Sequence, residues 1–287
     1  MLTEDSLKDT IVEMIRRAET SLPPDVINSL KRARNRERGQ IAKFQFGQMF
    51  KNLDLAKKLG APICQDTGTF TFFIKLGRKL RISFDIQKVI VRAVAKATRE
   101  IPLRTNVVDP ITRELAKSNT GKGQPAVHLE IAEGKDFQVD LLVKGAGTEN
   151  YGRLFMMRPM DGLNAVEQIV LSLLKEVRGK PCPPNLIGVG VGGSMETAPL
   201  LAKLAMLRPL DLPNSDPELE KTERKIESAA NSLNTGPMGL GGKTTVLKVL
   251  IEKAACHTAS LPIAVAIQCW PARRAKARMI GGKLKVV

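Results

Sequence analysis

Leu186-Ile-Gly-Val-Gly-Val191 carries no polar side chain, and it stops at Gly192-Gly193 before a helical pattern that runs through Met206. A run so short and so apolar reads as a strand buried on both faces, because a half-wet strand alternates apolar and polar residues. Residues 263–268 read the same way, and residues 246–251 are a weaker third case. Sheets of this kind need helices to cover them.

The helices are present in the pattern. Thr3 precedes Glu4 and Asp5, with Leu7, Ile11, Met14 and Ile15 at helical spacing, so a capped amphipathic helix opens the chain. Pro23-Pro24 ends it and starts another, with Val26, Leu30 and Ala33 on one face. A third runs from about Gln40 to Leu59 and ends at Gly60. Asp85 caps a helix through about Arg99, and residues 162–177 form a strongly patterned one. A charged helix follows the proline-rich loop 209–217. Residues 69–76 are β-branched and aromatic, hence a strand. Residues 127–131 and 137–143, joined by Glu-Gly-Lys, read as a hairpin. The expected class is α/β, with a mixed α+β arrangement as its variant, in which helices surround mixed sheets. A single domain over residues 1–287 is expected, residues 1–39 being a helical extension within it.

Charge narrows the partners. Lys and Arg number 45 against 29 Asp and Glu, a formal net charge of +16. Nucleic acid is the usual partner of such a surface. Aromatics are only 4%, with one Trp and one Tyr, which leaves little on which to stack bases. The basic residues are scattered except at 31–38 and 273–278. Small acidic substrates or an acidic partner protein suit this charge as well. No run of about 18 apolar residues occurs, so no membrane-spanning helix is expected. The first residues lack a basic-then-apolar leader, which makes the cytoplasm the expected compartment.

Two glycine-rich stretches invite nucleotide readings. Gly188-Val-Gly-Val-Gly-Gly193 satisfies G-x-G-x-x-G between a strand and a helix, but a long loop and a charged helix follow where a βαβαβ unit would continue. Gly239-Leu-Gly-Gly-Lys-Thr-Thr245 resembles a phosphate-binding loop, yet the first required glycine falls on Pro237. Tight backbone turns explain both better.

The four cysteines are separated, and a cytoplasmic protein has little use for structural disulfides. Cys64, Cys182 and Cys269 each stand beside Pro or Gly in loop-like contexts, whereas Cys256 has the look of a small buried side chain. Close ligand pairs of the zinc type are missing. Three separated thiols suit an iron–sulfur cluster with one iron left open. With only His128 and His257 in the chain, neither a two-histidine metal site nor a serine–histidine triad is expected. His128 reads as a surface strand residue, and His257 as an orienting or proton-handling group before a buried strand.

Six segments in order carry a resemblance: Cys64-Gln-Asp-Thr-Gly, Leu103-Arg-Thr-Asn-Val-Val-Asp-Pro110, Lys144-Gly-Ala-Gly-Thr-Glu-Asn150, Lys180-Pro-Cys-Pro-Pro184 with Gly188-Val-Gly-Val-Gly-Gly193, Gly236-Pro-Met-Gly-Leu-Gly-Gly242, and Cys269-Trp-Pro-Ala-Arg-Arg274. Over residues 40–276 the chain resembles the α subunit of class I fumarate hydratase and of its relative L(+)-tartrate dehydratase. The resemblance implies a [4Fe–4S] cluster held by Cys64, Cys182 and Cys269, with Cys256 outside the set and the fourth iron open to substrate. It implies that Gln65 and Asp66 contact a dicarboxylate, with Asp66 the acid for the leaving hydroxyl. Arg104 would clamp a carboxylate, Gly147 would offer its amide, and His257 matches an active-site histidine. The base acting at carbon would come from a β subunit, with α2β2 the assembly the resemblance implies, so this chain alone would be an incomplete enzyme. Hydration of fumarate to malate is the first expectation, dehydration of tartrate the alternative. Neither nucleic acid nor a membrane is expected as a partner.

Overall fold

The structure, a computed structural model, describes residues 2–287. Along the chain come α1 (Glu4–Thr20), α2 (Pro24–Arg36), α3 (Gln40–Leu59), β1 (Thr69–Gly77), α4 (Ile86–Glu100), β2 (Ala126–Ala132), β3 (Phe137–Lys144) and the single turn α5 (Ala146–Glu149). Then follow β4 (Arg153–Met157), α6 (Gly162–Val177), β5 (Asn185–Gly192), α7 (Thr197–Ala205), α8 (Pro217–Asn231), β6 (Val246–Ala254), β7 (Leu261–Gln268), β8 (Arg274–Ile280) and β9 (Lys283–Val286). The class is mixed α/β. Local chemistry sets the helix ends: the Thr3 hydroxyl accepts from the Ser6 amide at 3.2 Å, and Asp85 accepts from the Lys88 amide at 3.0 Å. Gly60 turns the chain out of α3 at φ +61°. Among the described residues no helix is long and apolar enough to cross a membrane.

The chain divides into two compact units, each built from separated stretches. The first takes the chain up to Pro23, then Asn52–Ala146 and Arg273–Val287; the second takes Pro24–Lys51 and Gly147–Ala272. Residues 1–39 are therefore shared between the two units, and the proline loop 209–217 lies inside the second.

The first unit is a five-stranded sheet in the order β2-β1-β3-β8-β9. Leu7, Ile11 and Ile15 of α1 and Ile90 and Val94 of α4 pack with Phe70, Phe72 and Ile74 of β1 and Phe137, Val139 and Leu141 of β3. Here the hairpin expectation is corrected. β1 lies between β2 and β3, parallel to β2 and antiparallel to β3, so the Glu-Gly-Lys connection steps across a strand. Burial explains the order. Phe70 to Ile74 are buried on both faces, which demands an interior position, while His128 to Ile131 are exposed and suit an edge. The basic cluster 273–278 also has a structural meaning that its charge hid. It enters β8, where Ala275 and Ala277 face the core and Arg278 pairs with both Asp140 oxygens at 3.0 and 3.1 Å.

The second unit is a four-stranded sheet in the order β4-β7-β5-β6, with β5 and β6 parallel. Val166, Val170 and Leu173 of α6 and Ile226 of α8 meet Ile187, Val189, Val249, Ile251 and Val265. The alternate residues of β5, Gly188 and Gly190, face α7.

Candidate active site

In the second unit, Cys182 and Cys269 sit on loops that are tied together. The Trp270 amide donates to the Cys182 carbonyl at 3.1 Å. Cys182 itself holds φ +51°, a left-handed conformation unusual for a residue with a side chain, and its amide donates to Gly179 O at 3.2 Å. Asn185, fully buried, links the same two loops from below: its Nδ2 donates to Pro181 O at 2.8 Å and to Gln268 O at 3.2 Å. The Gly-rich loop joins them through the Met238 amide, which donates to Pro183 O at 2.8 Å. A Cβ on Gly239 would stand 2.5 Å from Gly179 Cα, so only a pair of glycines allows that crossing. Asn185 was missed by the sequence reading; a lone polar residue opening an apolar strand was its signal.

The first unit carries Cys64, Gln65, Asp66 and Arg104. The residue before Cys64 is pinned from two sides: the Ile63 amide donates to Glu19 O at 2.7 Å, and Asn52 Nδ2 donates to Ile63 O at 2.9 Å. Asp66 accepts three hydrogen bonds, from the Gly68 amide at 2.8 Å, Asn106 Nδ2 at 3.1 Å and the Ala146 amide at 2.9 Å. Gly145 is small because a Cβ there would stand 2.9 Å from Asp66 Oδ2 and 3.8 Å from Arg273 Nη2. Arg104 is exposed, and its carbonyl is fixed by Thr67 Oγ1 at 2.8 Å and Asn119 Nδ2 at 3.1 Å. Its backbone is thus held while its guanidinium reaches outward. Gln65, between Cys64 and Asp66 in sequence, is exposed as well. Behind Asp66, Arg273 Nη1 donates to Glu19 Oε2 at 2.6 Å with both side chains buried. Burial pushes the Glu19 carboxyl up to about 7, against the opposing pull of Arg273. Glu19 follows Ile15 by four residues, on the buried face of α1, a signal the sequence reading passed over.

His257 and Gly147 belong to the second unit. His257 is exposed, and its Nδ1 accepts from the Ala259 amide at 3.1 Å, so a neutral ring carries its proton on Nε2. A Cβ on Gly147 would meet nothing within 4 Å. Cys256 is exposed rather than buried, which corrects the sequence expectation; it sits in the turn after β6 ends, where strand packing no longer covers it.

The nucleotide-like motifs are resolved by packing. A Cβ on Gly188 would overlap Ala202 O, and one on Gly190 would overlap Ala198 O, so these glycines let α7 lie on β5. In the other motif the amides of Lys243 and Thr244 donate to the buried Glu37 carboxylate at 2.9 and 2.8 Å. A phosphate would have to displace that carboxylate.

Thiolates are the donors that iron–sulfur clusters use, and three of them leave one iron of four without a protein ligand. Among the described residues no cysteine forms a disulfide. Among the described residues, no three or more His, Cys, Asp or Glu side chains gather so as to hold a metal ion.

A family model described as Fumarate hydratase (Fumerase) matches residues 8–278. A protein of Methanocaldococcus jannaschii, provisionally named L(+)-tartrate dehydratase subunit alpha, is 41% identical over 278 residues, covering 95% of this chain and 97% of its own. The L(+)-tartrate dehydratase subunit alpha of Escherichia coli strain UTI89 is 33% identical over 276 residues, covering 96% and 91% respectively. That of strain K12 is 33% identical over 271 residues, covering 94% and 89%.

Proposed function

The chain belongs to the fumarate hydratase family, and from that premise we propose that it is the α subunit of a two-subunit hydro-lyase acting on L(+)-tartrate. The names of its relatives along nearly their whole lengths favour tartrate over fumarate, which headed the expectation from sequence. The family's own description keeps fumarate as the second reading.

Cys64, Cys182 and Cys269 would hold a [4Fe–4S] cluster, and the iron without a protein ligand would supply Lewis acidity toward a substrate hydroxyl. Arg104 grips one substrate carboxylate through two parallel N–H donors. The Gln65 carboxamide and the Gly147 amide donate to further substrate oxygens. Asp66 delivers the proton to the departing hydroxyl, and its three hydrogen bonds fix the direction from which that proton comes. His257 offers Nε2–H as a second proton-handling group. Loss of water from tartrate leaves an enol, which becomes oxaloacetate. The base that takes the proton from carbon belongs to a β subunit, in an α2β2 assembly.

The observation that supports this most is the Trp270–Cys182 hydrogen bond, which presents two of the three thiols from one tied pair of loops. The test is turnover by the α–β complex, reconstituted anaerobically with iron and sulfide. Faster release of oxaloacetate from L(+)-tartrate than of malate from fumarate is expected. The reverse order returns the reading to fumarate hydratase, and turnover of neither overturns both.

A further inference from the structure

An open cavity of about 1000 Å³ in the second unit is lined by Arg36, Arg38, Arg224, Lys243 and Lys248 against a single carboxylate, Glu227. A narrower annex of about 170 Å³ shares Arg36, Glu227 and Lys248 and adds Arg32. The basic cluster 31–38 and the lysine of the phosphate-loop-like motif, which the catalytic reading leaves unused, thus meet in one place.

The cations are not balanced locally. Glu220 takes Arg224 at 2.5 Å, and Lys248 stands 4.0 Å from Glu227. Burial pushes the Glu227 carboxyl above its usual range, which weakens it as a counter-charge. Arg38 and Lys243 have no ion-pair partner among the described residues. The C-termini of α2 and α8 also open here, and each offsets about half an elementary charge. Set against Glu220, Glu227, the buried Glu37 beneath Lys243 and Thr244, and the two helix ends, the six cations of cavity and annex leave about two positive charges.

The lining is also fixed in place. Asn231 Oδ1 accepts from the Thr245 and Val246 amides at 2.8 and 2.9 Å, which leaves its Nδ2 donor for the cavity. Lys243 and Thr244 are anchored through their amides to Glu37, so the Lys243 side chain projects from a held backbone.

None of the residues lining the cavity is aromatic or aliphatic. Ordinary ligand pockets are mostly apolar, and a nucleobase would find nothing here to stack on. The volume lies near the upper end for small-molecule sites, far beyond what a dicarboxylate needs. We propose that this cavity binds a small phosphate-rich polyanion, read by its charge and its oxygens and not by a base.

The test is calorimetric titration of tripolyphosphate into the full-length chain, alone and with its partner subunit, at about 0.15 M salt. One saturable site per chain is expected in both. Replacing Arg38→Gln together with Lys243→Gln, both on the surface, weakens binding at least about tenfold. Lys79→Gln with Lys135→Gln removes the same charge from the first unit and changes affinity by less than about twofold. Absence of a saturable site, loss of it when the partner subunit is present, or equal weakening by both pairs overturns the proposal. So does ATP binding more than about tenfold tighter than tripolyphosphate, since the base would then be recognised.

Discussion

Arg273 and Glu19 form an ion pair that is closed to solvent: Nη1 donates to Oε2 at 2.6 Å, and the side chains are 1% and 0% exposed. Only one carboxylate oxygen benefits. Glu19 Oε1 is buried without a hydrogen bond, so desolvation of that oxygen outweighs the attraction of the guanidinium. Nearby Asp66 adds a further push in the same direction.

A pH dependence follows. Glu19 binds its proton with a pKa of about 7 in the folded chain and 4.5 in the reference state. Between those values the folded state holds more protons, so its stability is fullest below pH 4.5 and is lost as pH rises through 7. The slope from this one group approaches about 1.4 kcal/mol per pH unit. Glu227 and Glu252 are also pushed up by burial and add the same sign, so the difference from a variant is what identifies Glu19. Urea unfolding of Glu19→Gln across that window should show a shallower fall than the parent chain. Parallel curves would remove Glu19 as the titrating group.

Glycines in similar-looking motifs should respond oppositely to one methyl group. At Gly190 a Cβ overlaps Ala198 O and lies 2.8 Å from Ala202 N, backbone that cannot swing aside, so α7 must lift from β5. Gly190→Ala should cost about 3 kcal/mol or more. Gly147→Ala meets no neighbour within 4 Å, so stability should stay within about 0.5 kcal/mol. Equal unfolding midpoints for the two variants would refute the packing account.

Much of this was legible from local rules. The Thr3 and Asp85 caps, the Gly60 stop, α6 and β5 all follow from side-chain types within a few residues of each other. What local rules missed was pairing. Residues 127–131 and 137–143 are close in sequence, but the apolar β1 claims the place between them. β8 was hidden because Arg274, Lys276 and Arg278 read as a charge cluster, although the alanines between them keep the period of two. In the site, the cysteines and Asp66 stood in recognisable motifs. Asn185 and Glu19 did not, because their partners Gln268 and Arg273 lie 83 and 254 residues away in sequence and only the fold joins them.

The Glu37 carboxylate, 2% exposed, holds the Gly-rich loop by two amides. Hydrogen bonds to a charged acceptor are worth about 1.5–3 kcal/mol each, and removing the acceptor leaves buried donors bare. Glu37→Ala should therefore cost about 3–5 kcal/mol. Amide exchange at Lys243 and Thr244 should accelerate as well. Unchanged protection at both amides would show that Glu37 does not hold the loop.

The cysteines give the sharpest division. Cys64, Cys182 and Cys269 stand on loops whose backbones are tied by named hydrogen bonds to Ile63, Gly179 and Trp270 or their neighbours. Cys256 is exposed in the turn that also carries His257, so it is a thiol of the same chemistry in an unconstrained place. Serine keeps the size of cysteine but is a poorer ligand for iron, because a hydroxyl does not ionise near neutral pH. Cys64→Ser, Cys182→Ser and Cys269→Ser should each lose iron, sulfide and turnover after anaerobic reconstitution. Cys256→Ser should keep all three. Iron and sulfide are counted per chain alongside the visible absorbance, so the result does not depend on knowing the substrate. Full iron in Cys182→Ser, or its loss in Cys256→Ser, would reassign the ligands. Timed exposure of the parent complex to air adds a second readout, since an iron without a protein ligand is reachable by small oxidants. Activity should fall with exposure and return with ferrous iron and reductant, whereas an air-stable complex would argue against an open iron.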